Sequence, residues 1–458
     1  MLRAIAFLLL VAGCAVQPDY QRPALELPQA WKESAPRPAA AEPWWRVYGD
    51  PALERMIGEA LDGNTDVLVA AARVDEARAL LGEARSALRP EVGANASAGR
   101  SLSSAATGLL PPGVERERSN YRATLDVSYE IDVFGRLRAA SDAALADLAA
   151  SEAVRDAVRL ALTSRVAASY YGLLALDAQV ELTRRALGLR EESLALQRRR
   201  REAGVISDFD LRQLEAEAAT LRAQLPPLER DREIEEAALA ALLGRSPRAV
   251  FEETLPRQAL AADAPSAVAV PSGLPSELLL RRPDLVEAEQ RLVAANARVA
   301  VARSAYFPSI RLTGLLGSES ADLSDLFSGP AGIWSFAAAL AQPIYAGGRL
   351  EAQREAAAAR ERALLAQYQG AVRNAFRELR QALAAQARAR ESFEAQDARV
   401  VALAETLRLA RLRYASGVAS QLDVLDAERG LLAAQTARIE ALRAQRAAVA
   451  DLYRALGG

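Results

Sequence analysis

A long internal repeat governs what this 458-residue chain can fold into. Ala84-Arg85-Ser86-Ala87 with Pro90 returns as Ala302-Arg303-Ser304-Ala305 with Pro308, an offset of 218 (84 to 302). Gly135-Arg136-Leu137 returns as Gly348-Arg349-Leu350, and Gly204-Val205-Ile206-Ser207 with Asp210 returns as Gly417-Val418-Ala419-Ser420 with Asp423. Both of these pairs keep an offset of 213 (135 to 348, 204 to 417). A fixed long period marks one structural unit used twice. The plan is therefore a helix–hairpin–helix unit in two copies.

Residues 51–250 form the first copy and 276–458 the second, joined by a Pro-rich linker over 251–275. Proline is absent from Arg136 to Ala203 and from Arg349 to Ser416, and both stretches are rich in Ala, Leu, Arg and Glu. At about 1.5 Å per residue each predicts a helical rod on the order of 100 Å long. Shorter helices are expected at 208–243 and 420–455, with Pro226-Pro227 kinking the first of them. From Tyr121 to Asp132 apolar and polar residues alternate strictly, the signature of a two-faced strand. Hairpins are expected at about 91–132, through a loop containing Pro111-Pro112-Gly113, and at 309–345, where Trp334, Phe336, Ala338, Leu340 and Ile344 share a face.

The composition narrows the chemistry. No histidine is present, which removes the commonest general base and the usual zinc ligands. With no phosphate loop and no plausible acid pair, an enzyme is the weakest reading. Neither a metal nor any other cofactor is expected, and a net charge of −2 gives no electrostatic case for nucleic acid. Residues 1–13 read as an export signal: Arg3, then an apolar run too short to span a bilayer, then Val11-Ala12-Gly13 before Cys14. Cys14 is the only cysteine and stands at the cleavage point, so a covalent lipid is expected on it, with 14–50 as an extended arm.

Four strands cannot close a transmembrane barrel, because known bacterial barrels need at least about eight. The hairpins must pack on protein or be pooled by several chains, and three chains supply twelve strands. The odd-numbered face of Tyr121–Ile131 then meets lipid, while Asp126 and Glu130 line the lumen and favour cations. The alternative is a half-buried sheet with a solvated polar face.

These residues resemble a known family. Cys14-Ala-Val-Gln-Pro-Asp-Tyr, Trp44-Trp45 with Gly49-Asp50-Pro51, and Ser128-Tyr-Glu-Ile-Asp-Val-Phe-Gly-Arg136 are similar to outer-membrane factors of the TolC type, in the lipidated OprM-like branch. So are Arg281-Arg-Pro-Asp284, Ala305-Tyr-Phe-Pro-Ser309 and Gln342-Pro-Ile-Tyr-Ala-Gly-Gly-Arg349. The likeness covers the mature chain. It implies a mainly α homotrimer: long antiparallel helices forming an α-barrel tunnel, with four strands per chain in a twelve-stranded barrel. It also implies a passive duct in the outer-membrane lipid, extending into the periplasm. Its partners would be a periplasmic adaptor and an inner-membrane pump, usually proton-driven.

Site residues follow from the same resemblance. Gly204, Val205, Ser207, Gly417, Val418 and Ser420 match the tips that meet the adaptor, although glycine turns and serine caps account for them equally well. Leu422, Asp423 and Asp426 match residues ringing the closed pore, where crowded carboxylates would have raised pKa values. Two acids favouring a helix start is the competing account. Tyr414 and Asp210 match half of a lock on the closed tip; the other half is absent, with Ala419 and Phe209 in its place. The run Arg198–Arg201 reads as a solvated helix face. The rival architecture is a lipid-anchored coiled-coil scaffold without a pore, and a nearer rival is a duct for proteins or metals.

Overall fold

The computed structural model describes residues 20–26, 43–104, 106, 115–252, 254–260 and 281–458. The segment 1–13, Cys14, much of the 14–50 arm, the Pro111-Pro112-Gly113 loop and most of the 251–275 linker lie outside the described residues. In chain order the elements are α1 (Pro51–Gly63), α2 (Thr65–Ser86), β1 (Glu91–Leu102), β2 (Glu117–Ile131), α3 (Arg136–Glu202) and α4 (Asp208–Leu242). They continue with α5 (Pro247–Glu252), α6 (Pro283–Ser304), β3 (Ser309–Ser320), β4 (Gly332–Ala341), α7 (Arg349–Ala415) and α8 (Gln421–Leu456). Among the described residues the fold is mainly helical with four antiparallel strands, and α3 and α7 each run 67 residues without a break. Helix α4 keeps Pro226 and Pro227 inside one continuous element. Among the described residues no helix is long and apolar enough to cross a membrane.

The chain divides into two units, and each draws on both copies of the repeat. The first holds Arg73–Glu152 and Glu287–Gln369 with residues 20–24, and its centre is a sheet ordered β1-β2-β3-β4. Antiparallel register carries one apolar face across all four strands. Ala94 opposes Leu125, Leu125 opposes Leu316, and Leu316 opposes Trp334. One step along, Val92, Val127, Gly314 and Phe336 line up the same way. The other face carries Asn95, Thr124, Asp126, Ser128, Glu130, Arg311 and Thr313. Gly317 makes this closeness possible: a Cβ there would lie 2.1 Å from the Ala123 carbonyl oxygen. The apolar face is bare, with Leu125 53% and Trp334 78% exposed. Strand β4 ends at Ala341, so Ile344, expected on its face, lies beyond the strand. Gln342-Pro343 follows directly, and proline has no N–H to extend the ladder.

The second unit holds Leu25–Ala72, Ala153–Val286 and Gly370–Gly458. Its core gathers Trp44, Leu53, Ile57, Tyr170, Leu173, Leu239 and Leu243. Each such side chain contributes about 1.5–3 kcal/mol on burial. Gly49-Asp50-Pro51 starts α1: Asp50 Oδ1 accepts from the amides of Ala52 and Leu53, while Pro51 needs no partner at the first helical position. The second Asp50 oxygen accepts from the Tyr170 hydroxyl at 2.8 Å. Burial and that carboxylate push the tyrosine pKa well above its usual value. Arg282, buried, holds Asp284, Glu378 and the Ala455 carbonyl together.

Candidate functional site

In the second unit α3–α4 and α7–α8 form two antiparallel hairpins, and their tips are built alike. Arg198 pairs with Glu215 at 3.1 Å; the counterparts 213 residues on, Arg411 and Glu428, pair at 2.9 Å. Arg222–Glu191 and Arg184–Glu229 continue the antiparallel ladder along the first hairpin. Gly204 and Gly417 have φ of 75° and 77°, the left-handed conformation that ends a helix with least strain in glycine. Ser207 and Ser420 then open α4 and α8 with full capping boxes, their partners being Asp210 and Asp423. Val205 and Val418 stand 67% and 69% exposed, and Phe209 75%.

The tip acids are thus occupied locally. Asp423 Oδ2 accepts from the Ser420 amide at 2.7 Å and its hydroxyl at 2.8 Å. Those bonds, with a smaller contribution from the Arg413 charge, hold the Asp423 carboxyl below its usual range. Asp210 likewise accepts from Ser207, while the Tyr414 ring packs with Leu407, Val424 and Ala427. Among the described residues no hydrogen bond joins Tyr414 to Asp210, so within one chain this half of the lock is not made.

Helix α8 has two unlike faces near its start. Leu425 is buried with Leu194 and Leu214, and Val424 and Ala427 with Leu407. Leu422, Asp423 and Asp426 are exposed on the opposite face, and Arg429 follows one turn later. Arg429 Nη1 donates to Asp426 at 3.1 Å, and Nη2 donates to Glu217 of α4. Arg190 of α3, buried, joins Glu428 at 2.7 Å. Both tethers escaped sequence reading; the repeated Arg–Glu spacing of 198/215 and 411/428 signals only the pairs within each hairpin.

On the polar face of the sheet, Asp126 accepts from Asn95 at 2.5 Å and Thr124 at 3.1 Å. Glu130 accepts two bonds from Arg136, and Arg311 opposes it in register. Asp126 and Glu130 share the polar face. Glu130 is paired there with Arg136, the first residue of α3, which follows the strand closely in the chain.

The sequence pattern of the outer membrane efflux protein family matches residues 56–245 and 274–458. The toluene efflux pump outer membrane protein TtgC of Pseudomonas putida is 37% identical over 466 residues, covering 100% of this chain and 94% of that protein. The probable outer membrane lipoprotein SilC of Salmonella typhimurium is 34% identical, covering 100% and 98%. Among solved structures, the CmeC outer membrane channel of Campylobacter jejuni superposes with a TM-score of 0.90 at 25% identity, covering 97% of this chain and 95% of that one.

Proposed function

The chain belongs to the outer membrane efflux protein family, and from that premise we propose that it is the lipid-anchored exit duct of a tripartite efflux system. Three copies pool their strands into a closed twelve-stranded barrel, and the paired hairpins of each copy line a helical tunnel. The observation that carries this reading is the bare apolar face running in register across all four strands between two open edges. In lipid such a face is satisfied, and only closure satisfies the edges. A scaffold without a pore has no use for either feature.

Flow through the duct is passive, with the energy supplied by a proton-driven inner-membrane pump and transmitted through a periplasmic adaptor at the tips around Gly204 and Gly417. The cargo is small organic molecules, as the name of the toluene-exporting relative indicates for that protein. Cys14 carries the lipid, in line with a relative named as a lipoprotein. Leu422, Asp423 and Asp426 face the tunnel at its narrow end, with Arg429 tying that ridge to Glu217. The test is native mass spectrometry of detergent-extracted protein followed by planar-bilayer recording. A conducting trimer whose subunits begin at an acylated Cys14 is expected. A non-conducting monomer overturns the duct.

A further inference from the structure

Residues 20–24, at the beginning of the first unit, grip its helices. Arg22 reaches α6 by a two-pronged ion pair: Nε donates to Glu289 Oε1 at 2.6 Å and Nη2 to Oε2 at 2.5 Å. Glu289 is only 7% exposed, and Tyr368 of α7, 1% exposed, lies beside it. Tyr20 joins the cluster, and burial with the Glu289 charge pushes both tyrosine hydroxyls above their usual pKa. A carboxylate this deep needs a cation, and the arm supplies it.

Two lengths then coincide. From Glu289 to Ser304, the last residue of α6, fifteen residues of helix run about 22 Å. There the chain turns into the foot of the sheet, where Tyr306, Phe307, Ile344 and Tyr345 are exposed and Phe134 stacks on Phe307 at 4.9 Å. Exposed aromatic rings at the end of a lipid-facing sheet mark a membrane–water boundary. From Tyr20 back to Cys14 there are six residues, which span at most about 22 Å.

We propose that the notch at Glu289 and Tyr368 is a receptor for the chain's own arm, and that by gripping Arg22 it sets the lipid on Cys14 at the level of the aromatic girdle. The proposal rests on the exit-duct reading, which supplies the lipid and the membrane but not the length between lipid and body. The strap is just long enough to reach the girdle, so anchor and barrel enter one leaflet together. A bidentate guanidinium–carboxylate pair is suited to the grip, because it fixes direction as well as distance.

The experiment uses the full-length protein in outer-membrane preparations and reads the yield of folded trimer, beside acylation and conductance of the same material. Deleting residues 17–19 halves the reach from Cys14 to Tyr20, to about 10 Å. It is expected to lower the yield about tenfold, the scale of one lost hydrogen bond to a charged group. Replacing Gln17-Pro18-Asp19 by Gly-Ser-Gly keeps the length and should leave the yield unchanged. R22A/E289Q removes the grip without stranding a buried charge, so in that background the deletion should be tolerated. A harmless deletion, a deletion equally harmful in R22A/E289Q, or a Gly-Ser-Gly replacement as harmful as the deletion overturns the proposal. If the unaltered protein is an acylated, conducting trimer, such an outcome leaves the duct reading standing. An unaltered protein that is unacylated or does not conduct strikes the duct itself.

Discussion

At the scale of single residues the tips are governed by short-range chemistry. Ser420→Ala removes the acceptor for the Asp423 amide and is expected to cost about 1 kcal/mol, read as faster amide exchange at the start of α8. The Asp423 carboxyl, held low in the folded tip, stabilises that tip at all pH values above its ordinary pKa of 3.8. That contribution disappears as pH falls through the lowered folded value, so protection of the amides at 417–422, taken relative to unfolded-chain exchange at the same pH, should fall only below the usual carboxylate range. Protection lost instead near neutral pH would contradict the capping assignment. Arg282→Ala removes the buried cation shared by Asp284, Glu378 and the Ala455 carbonyl, and because both carboxylates remain partly solvated a loss of about 1–3 kcal/mol is expected in thermal unfolding. The glycines, serines and aspartates of the tips were legible because helix caps depend on neighbours three or four positions away. Arg429 was not, because Glu217 lies 212 residues from it and only packing brings them together.

At the scale of elements, period-two alternation in β2 was readable because a strand between lipid and water enforces it residue by residue. The ends of strands were less so: β1 extends to Leu102 through small residues that carry little pattern. The apolar face gives a sharp test. Leu125→Arg should abolish stable insertion, at roughly 2–4 kcal/mol per copy near the bilayer midplane, whereas Ser128→Arg on the opposite face should still assemble. Equal tolerance of both would remove the sheet from the membrane. Between helices, Arg429→Ala frees α8 from α4 and should raise closed-state conductance in planar bilayers. The exchange R429E with E217R should restore most of the closure. Asp423→Ala with Asp426→Ala is expected to raise the same current by removing the charged ridge.

At the scale of the whole molecule the repeat was the most legible feature, since duplicated tips, strands and long helices keep their spacing in the chain. That copies must assemble is not written locally. It follows from the sheet order, which leaves β1 and β4 as edges that need a partner from another chain. Crosslinking cysteines placed at Ala96 and Ala338 should join neighbouring subunits only in the assembled protein, and a band within single chains would contradict closure between copies. The open edges have a consequence for biogenesis. A newly exported chain is a sticky half-product, exposing an oily sheet with free hydrogen-bonding rims until it meets its siblings. Its maturation is therefore a race between productive encounter and clumping, and the yield depends steeply on how fast new chains are supplied.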